Sequence, residues 1–158
     1  MPDVIHQSAE TGNALWFGDA IYTFKATTET TNGSLTLAEA TVPPGGGPPP
    51  HIHPHTDEAF YILGGKLEFL NGTDTFLAGE GDFVFVPRGT RHRFRNVGIQ
   101  TARLLFMFTP AAMEGFFMEI GQPAQAGVTP VPLTKAQLGQ IVELAPKYNL
   151  QLAPDPSS

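Results

Sequence analysis

The sequence predicts an all-β fold, a sandwich or barrel, followed by two short C-terminal helices. Between residues 14 and 109, short runs of β-branched and aromatic residues alternate with turns that draw on the chain's 17 glycines and 15 prolines. About ten short strands with such close turn spacing are typical of a sandwich or barrel. Beyond residue 109 the apolar residues change to helical spacing. The length of 158 residues suits one domain of this kind.

The composition excludes several kinds of site and partner. The chain has no cysteine, which excludes disulfides, Cys-ligated zinc, iron–sulfur clusters and thiol nucleophiles. Its net charge of -6 is unfavourable for binding a nucleic-acid backbone. The N-terminus carries no basic region followed by an apolar run, and the aliphatic-aromatic run Leu104–Phe108 is too short to cross a bilayer. We therefore expect a soluble cytoplasmic protein with no nucleic-acid or membrane partner.

The strands of the predicted barrel occupy residues 14–109, after a polar arm at residues 1–13 that we expect to be loosely held. Residues 43–50 are a Pro/Gly loop that cannot be a helix or a central strand. Asn32-Gly33 is a hairpin turn signal. The predicted strands are Ala14–Phe17, Ala20–Thr28, Ser34–Val42, His51–His53, Ala59–Leu63, Lys66–Leu70, Thr73–Leu77, Asp82–Val86, His92–Asn96 and Ala102–Thr109.

Residues 110–152 are expected to form a helical extension that packs on the barrel or on a partner chain. The first helix has apolar residues at i, i+3, i+4 and i+7, which form one face: Met113, Phe116, Phe117 and Ile120. Thr109 and Pro110 are expected to begin this helix, and Gly121 to end it. This helix and the exposed faces of the first strands suggest an interface that covers barrel edges. We therefore expect a homodimer.

A second helix is predicted after a Pro/Gly linker at residues 122–132. Thr134 and Gln137 have the spacing of a capping box. Pro146 is expected to kink or end the helix. The composition of residues 153–158 predicts a disordered tail.

Four side chains with the chemistry of metal ligands can meet inside the predicted barrel: His51, His53, Glu58 and His92. His51 and His53 are two residues apart, so they share one face of a strand. Around His92, three arginines occupy the opposite face, which we expect to be solvated, and this places His92 inside. Glu58 is an odd number of residues from His53, so the strand must break between them, and Pro54 supplies the break.

Three imidazoles and one carboxylate form a ligand set for a divalent transition metal. Calcium, which prefers oxygen ligands only, is disfavoured. The cofactor predicted is one ion of Fe, Mn, Ni, Co, Cu or Zn, and the ligands alone do not choose among them. His6 is expected to be a surface residue, and His55 a surface residue or a neighbour of the ligands.

The spacing around these four residues reproduces two motifs, and on that spacing the chain is identified as resembling the cupin superfamily. The first motif runs over Gly45, His51, His53, Glu58 and Gly65, and the second over Gly81, Pro87, Gly89, His92 and Asn96. The resemblance implies a single cupin (jelly-roll-like) β-barrel. It implies that the three histidines and Glu58 bind the metal, and that Gly65, Pro87, Gly89 and Asn96 are structural turn residues.

A looser resemblance links the chain to the quercetinase-like cupins, a group that includes flavonol 2,4-dioxygenases. It rests on the Pro-Pro-Pro-His-Ile-His run, on Asp57-Glu58-Ala-Phe-Tyr, and on the helix with two Phe residues after the last strand. This resemblance implies that Glu58 also takes a proton from a substrate hydroxyl. Glu39 is the alternative proton acceptor.

An apolar substrate pocket is expected around the metal. Its predicted lining is Phe60, Ile62, Phe83, Phe85, Phe94, Phe106 and Phe108. An aromatic lining suits a planar or apolar ligand, and no inward arginine is available to bind a dicarboxylate. The leading hypothesis is a dioxygenase that uses dioxygen to attack a hydroxylated or enolisable, flavonol-like molecule. The alternatives are an isomerase or lyase that uses the metal as a Lewis acid, and a metal-dependent small-molecule binding module.

Overall fold

Two antiparallel sheets face each other across an aromatic core in the computed structural model, which describes residues 3–156. The seven-stranded sheet has the order β11-β1-β2-β3-β10-β5-β8, and the five-stranded sheet has the order β12-β4-β9-β6-β7. The strands are β1 Asn13–Phe17, β2 Ala20–Ala26, β3 Thr36–Val42, β4 His51–Ile52, β5 Asp57–Gly64, β6 Lys66–Asn71, β7 Asp74–Gly79, β8 Phe83–Val86, β9 His92–Asn96, β10 Ala102–Thr109, β11 Gln122–Pro123 and β12 Gln151–Leu152.

This architecture is the jelly-roll barrel with two C-terminal helices that the sequence predicts. The ten predicted strands are all present, with bounds that differ by at most two residues. Strict alternation of buried and less buried residues in β2 and β3 directs one face of each strand to the core. Phe60, Phe69 and Phe108 are among the largest fully buried side chains. No helix within the described residues is long and apolar enough to cross a membrane.

The chain passes from one sheet to the other at Gly65, between β5 and β6. Gly65 has a φ of +88°, and a Cβ there would lie 2.8 Å from the backbone of Ala102. Only glycine tolerates both the positive φ and the close approach. The turn thereby fixes where β6 starts in the second sheet.

The first helix, α1 Glu114–Ile120, begins later than predicted. Strand β10 continues through Thr109, so Thr109 ends a strand and Pro110 lies in the bend after it, and neither caps the helix. The start of α1 is held by the carboxylate of Glu114, which accepts hydrogen bonds from the Thr28 backbone N–H at 2.6 Å and from the Thr36 hydroxyl at 2.8 Å.

The apolar face of α1 packs on this chain's own barrel. Met113, Phe116 and Ile120 are buried, and Phe117 packs against the core. Phe116 and Phe117 therefore do not present an exposed apolar surface to a partner. The homodimer remains a prediction, and the apolar face of α1 is not its interface.

The second helix, α2 Lys135–Leu144, has the predicted capping box between Thr134 and Gln137. A 3-10 helix, Ala145–Tyr148, follows it and has Pro146 in its first turn. The two short strands β11 and β12 are not predicted by the sequence. β11 pairs with β1 inside the segment expected to be a linker.

Residues 153–155 are bonded to the barrel, where the sequence predicts a disordered tail. The Ala153 N–H donates to the Pro50 carbonyl at 2.9 Å. The guanidinium of Arg91 donates to the Ala153 carbonyl at 2.7 Å and to the Asp155 carboxylate at 2.8 Å. At the other end, Lys25 donates to the carbonyls of Ser8 and Ala9 and so ties down part of the expected arm. Residues 1–2 of that arm and 157–158 of that tail lie outside the described residues.

Candidate metal centre

The structure brings His51, His53, Glu58 and His92 together as a group that could hold a metal ion. One ligand atom from each side chain lies within 4.8 Å of the others. His51 on β4 stands directly opposite His92 on β9 in the antiparallel ladder. Glu58 comes from β5 in the other sheet. The group therefore joins the two sheets at one end of the barrel.

Backbone hydrogen bonds between the two sequence motifs fix the positions of the ligands. The N–H of Gly89 donates to the carbonyl of His53 at 2.9 Å, and the N–H of Gly45 donates to the carbonyl of Asn96 at 2.8 Å. The buried Asn96 amide donates to the Val42 carbonyl at 2.9 Å. These bonds give a physical reason for the spacing of glycine and asparagine around the histidines.

Two of the histidines are held in one tautomer by the backbone. Nδ1 of His51 lies 2.8 Å from the Pro49 carbonyl, and Nδ1 of His92 lies 2.9 Å from the Thr90 carbonyl. A carbonyl only accepts, so each Nδ1 carries the proton and donates. In the neutral ring Nε2 then carries a lone pair that can face a metal ion, whereas in a protonated His92 ring Nε2 donates to Oε2 of Glu58 at 2.8 Å. Metal-ligating histidines are commonly oriented by this kind of bond.

The spacing of the ligand atoms fits a metal ion. Nε2 of His92 lies 2.8 Å from Oε2 of Glu58, and Nε2 of His53 lies 3.3 Å from the same oxygen. Adjacent ligand atoms on a transition metal with bonds of ~2.0–2.1 Å are about 2.8–3.4 Å apart, from octahedral to tetrahedral angles. All four side chains are at least nine-tenths buried. The donor set and its spacing thus suit one divalent transition metal.

In this cluster each ionisable side chain shifts the pKa of its neighbours. Burial raises the pKa of Glu58, but the hydrogen bonds from His53 and His92 outweigh burial and bring that pKa down to about 2. Burial lowers the pKa of His92, but the hydrogen bond and charge of Glu58 raise it overall. Glu58 is therefore an anion at neutral pH, as a metal ligand must be.

His51 differs from His92 because no carboxylate bonds to it. Burial first, and then the neighbouring His92 and His53 rings, lower the pKa of His51 to about 3. His51 therefore stays neutral over the physiological range and keeps its Nε2 lone pair free. A neutral imidazole is the form that binds a metal.

An apolar cavity with about 60 Å³ of free volume adjoins the cluster. Four of the seven predicted lining residues border it: Phe60, Phe94, Phe106 and Phe108. A cavity of 150 Å³ is known to hold a benzene ring. The present volume is therefore suited to a molecule of two or three atoms, and an aromatic ligand requires the wall to move outwards.

Three predicted pocket residues lie elsewhere. Phe83 and Phe85 are 60% and 54% exposed, because β8 turns Val84 and Val86 to the core and the two Phe rings outwards. Ile62 is fully buried in the core and does not border the cavity.

Other predicted roles also change in the structure. Glu39 accepts a hydrogen bond from Arg103 at 2.6 Å on the outer face of its sheet, so it is not available as a proton acceptor in the cavity. His55 and His6 are exposed and lie outside the ligand group. Arg91 and Arg93 are only partly solvated, because Arg91 binds the C-terminal tail and Arg93 binds Glu68 at 2.8 Å.

Ten of the seventeen residues that line the cavity are ones that the sequence assigned neither to the pocket nor to the metal site. The C-terminal elements contribute Met113, Phe116, Phe117, Ile141, Leu150 and Leu152. The barrel and the Pro/Gly loop contribute Phe17, Tyr22, Pro48 and Pro49. The helical spacing that predicted a buried face on α1 could have identified Phe116 and Phe117, and the alternation in β2 could have identified Tyr22. No pattern marks Leu150 or Leu152.

The C-terminal wall is attached to a ligand strand. In the β12–β4 ladder, Leu152 stands opposite His51. Arg91, next to His92, binds the backbone just beyond β12. The segment that closes the cavity is thus held through neighbours of two candidate ligands.

Comparison with known proteins matches the cupin domain family to residues 38–108. Polyketide synthase CurC of Streptomyces cyaneus is 32% identical over 57% of this chain and 60% of its own length. Quercetin 2,3-dioxygenase of Bacillus subtilis is 26% identical over 75% of this chain and 35% of its own length. The chain spans less than two thirds of either relative.

Solved structures share the architecture. An RmlC-like cupin from Shewanella frigidimarina superposes with a TM-score of 0.61 at 19% identity, covering 73% of this chain and 99% of that chain. A protein described as a predicted oxalate decarboxylase from Thermotoga maritima gives a TM-score of 0.61 at 21% identity, covering 68% of this chain and 99% of that chain. At these identities the likeness concerns the fold alone.

Proposed function

The chain belongs to the cupin superfamily, and from that premise we propose that it is a metal-dependent dioxygenase that acts on small hydroxylated or enolisable aromatic molecules. The supporting observation is the position of the three histidines and Glu58. His51, His53 and Glu58 border a cavity whose other walls are almost entirely aromatic and aliphatic, and His92 lies in the same ligand group. The similarity to a quercetin 2,3-dioxygenase favours the same reaction class.

His51, His53, Glu58 and His92 would hold the metal. When bound, a divalent transition metal supplies Lewis acidity towards a substrate oxygen and, for redox-active ions, electrons for reaction with dioxygen. The three neutral imidazoles and one carboxylate leave such an ion with a net positive charge, which favours binding of a deprotonated hydroxyl group.

Glu58 has a free oxygen for proton transfer. Both histidine contacts go to Oε2, and Oε1 makes no hydrogen bond with the residues that the structure describes. A carboxylate can therefore keep one oxygen with the ligand group while the other accepts the proton of a substrate hydroxyl. The low pKa of Glu58 keeps it ionised and able to accept.

The aromatic wall orients the substrate and excludes water. Phe108 packs edge-on to the ring of His53 with centroids 5.1 Å apart, and Phe106 packs against Phe108 at 5.8 Å. A planar ring that enters beside them gains offset or edge-to-face contacts. Since the cavity of about 60 Å³ is smaller than one that holds benzene, a substrate of flavonol size would enter by displacing the C-terminal wall.

Oxygen consumption tests the proposal directly. Protein loaded with each candidate metal is supplied with 3-hydroxyflavone and with smaller phenolic and enolic compounds in an oxygen electrode. We expect stoichiometric oxygen uptake with at least one compound. Turnover without oxygen would indicate an isomerase or lyase, and binding without turnover would indicate a binding module.

Glu58→Gln separates proton transfer from metal binding. The amide keeps a ligating oxygen and nearly the same shape but cannot accept the proton. General base catalysis contributes ~10²–10⁴-fold, so we expect turnover to fall at least ~100-fold in a variant with the wild-type metal content. The metal content is measured on the same sample. Near-normal turnover at full metal occupancy would show that Glu58 is a ligand only.

A further inference from the structure

A single phenol faces the cavity beside the candidate metal centre. Tyr22 lies on β2, is 6% exposed, and borders the same cavity as His51, His53 and Glu58. Among the described residues that line this cavity, Tyr22 carries the only hydroxyl group. Apart from the candidate ligands, it is the only lining side chain with a polar group.

The ring of Tyr22 is fixed, and its hydroxyl is unpaired. The ring stacks on Phe17 at 5.8 Å and packs edge-on to Phe106 at 5.2 Å and Phe117 at 5.1 Å. The hydroxyl makes no hydrogen bond with the residues that the structure describes. Its oxygen is not one of the side-chain atoms that are fully buried without a partner, so this donor stays accessible and is suited to a molecule that enters the cavity.

Tyr22 is a donor at neutral pH. Burial first, and then the negative charges of Glu58 and Asp19, raise the pKa of its phenol above the ordinary value. The phenol therefore keeps its proton while Glu58 is ionised. The cavity thus contains one hydrogen-bond donor and, in Glu58, one proton acceptor.

We propose that the Tyr22 hydroxyl donates a hydrogen bond to an acceptor atom of the molecule that binds in this cavity, and so selects ligands that carry such an acceptor beyond the atom facing the metal centre. This inference rests on the proposed function, since it assigns a specificity-determining residue to the same site. The aromatic walls distinguish ligands by shape. Tyr22 adds the requirement for a correctly placed oxygen or nitrogen.

Azide is the probe for this role, because a three-atom anion fits the closed cavity and carries an acceptor at each end. Protein loaded with Co²⁺ is titrated with azide and followed by visible absorption. The variants are Tyr22→Phe, which removes only the hydroxyl, and Tyr61→Phe, which makes the same change on an exposed tyrosine. Cobalt content and melting temperature are measured for every protein.

We expect Tyr22→Phe to weaken azide binding about two- to tenfold, as for the loss of one hydrogen bond, with unchanged cobalt content. Tyr61→Phe should bind as the wild type does. Equal azide affinity in Tyr22→Phe and wild type would overturn the proposal, and so would a wild-type protein that binds no azide, because a donor that no ligand reaches selects nothing.

Failure of the proposed function has a different signature. If no compound supports oxygen uptake but Tyr22→Phe alone weakens azide binding, the dioxygenase proposal fails and the role of Tyr22 stands. If oxygen uptake occurs and azide binding is the same in both tyrosine variants, the dioxygenase proposal stands and the role of Tyr22 fails.

Discussion

The barrel wall and the C-terminal wall of the cavity differ in construction. The barrel wall carries Glu58 on the eight-residue β5 and Tyr22 on the seven-residue β2, both inside longer antiparallel ladders, and it carries His51 and His53 on and just after the two-residue β4. The C-terminal wall consists of a seven-residue helix, a ten-residue helix and a two-residue strand. It contributes only apolar side chains to the cavity.

Because of this difference, the barrel wall supplies the chemical groups of the site and the C-terminal wall controls access to them. Among the polar groups, Glu58, His92 and Tyr22 lie on strands with many backbone hydrogen bonds, which open only rarely. Apolar groups that enclose the ligand lie on short elements with few ladder hydrogen bonds, and the free energy of local opening is smaller for such elements. The barrel wall should therefore decide metal binding, and the C-terminal wall should decide which ligands enter.

The largest effect is expected for a truncation in the C-terminal wall. Phe116 is 3% exposed and its ring packs against Phe17, Phe117 and Tyr148 at 5.4–6.0 Å. Phe116→Ala should lower the free energy of unfolding by ~3–5 kcal/mol, measured by denaturant titration, and leave the metal affinity of the folded protein unchanged.

The matched control is Met118→Ala on the same helix. Met118 is 38% exposed, so its truncation should change stability by no more than ~0.5 kcal/mol. Wild-type stability in Phe116→Ala would show that α1 is not packed as described. Loss of metal affinity in that variant would show that the two walls are not separate.

The second prediction concerns the barrel wall. His92→Ala removes one of four donors, and its effect should exceed the ~10–100-fold loss caused by removal of an outer partner of a ligand. We expect affinity for Zn²⁺ to fall at least ~100-fold, or about 2.7 kcal/mol, by calorimetric titration. His55→Ala, an exposed histidine outside the group, should bind as the wild type does. Full metal occupancy in His92→Ala, with loss in His55→Ala, would contradict the ligand assignment.

The smallest effect concerns the anchor between the two walls. Partial burial raises the pKa of Glu114, but hydrogen bonds from Thr28 and Thr36 hold it below its ordinary value overall. A depressed pKa contributes stability that is present above the unfolded-state pKa of ~4.3 and is lost as pH falls through the lower folded-state value. Glu114→Gln should lose about 1 kcal/mol or less at pH 7, because solvent screens a partly exposed group.

The pH series provides the control for Glu114. Stability of wild type and Glu114→Gln is compared between pH 7 and pH 3. The difference should be constant above ~pH 5 and should shrink below ~pH 4. A difference that does not change with pH would show that the carboxylate charge plays no part in anchoring α1.

The barrel and the ligand group could be predicted from the sequence because their signals are local. The two-residue separation of His51 and His53 gives them a shared face, and Pro54 marks the break that lets Glu58 join them. The glycines and Asn96 of the two motifs form hydrogen bonds with backbone groups at the turns. Each of these inferences needs only neighbouring residues and the period of a strand.

The pocket lining was predicted less well where strand alternation is ambiguous. Both faces of β8, Phe-Val-Phe-Val, are apolar. The two-residue period of a strand therefore defines two faces but does not indicate which of them is buried. The structure places Val84 and Val86 inside, since the core there is already occupied by larger rings such as Phe60 and Phe69.

The C-terminal wall could not be predicted because its contacts are long-range. Strand β12 has two residues, too few for a visible pattern, and it pairs with β4 about a hundred residues earlier in the chain. Arg91 was expected in solvent on the basis of its charge. Its partners, the Ala153 carbonyl and Asp155, are known only once the tail has folded back.

Metal stoichiometry is the most direct measurement of the central claim, that the three histidines and Glu58 hold one divalent transition-metal ion. Protein purified without an affinity tag is loaded separately with Fe²⁺, Mn²⁺, Ni²⁺, Co²⁺, Cu²⁺ and Zn²⁺, freed of excess ion and measured by elemental analysis. One ion per chain should be retained for at least one metal, and almost none by a folded variant with His51, His53 and His92 replaced by alanine. A folded wild type that retains no ion, or equal retention in the variant, would contradict the claim.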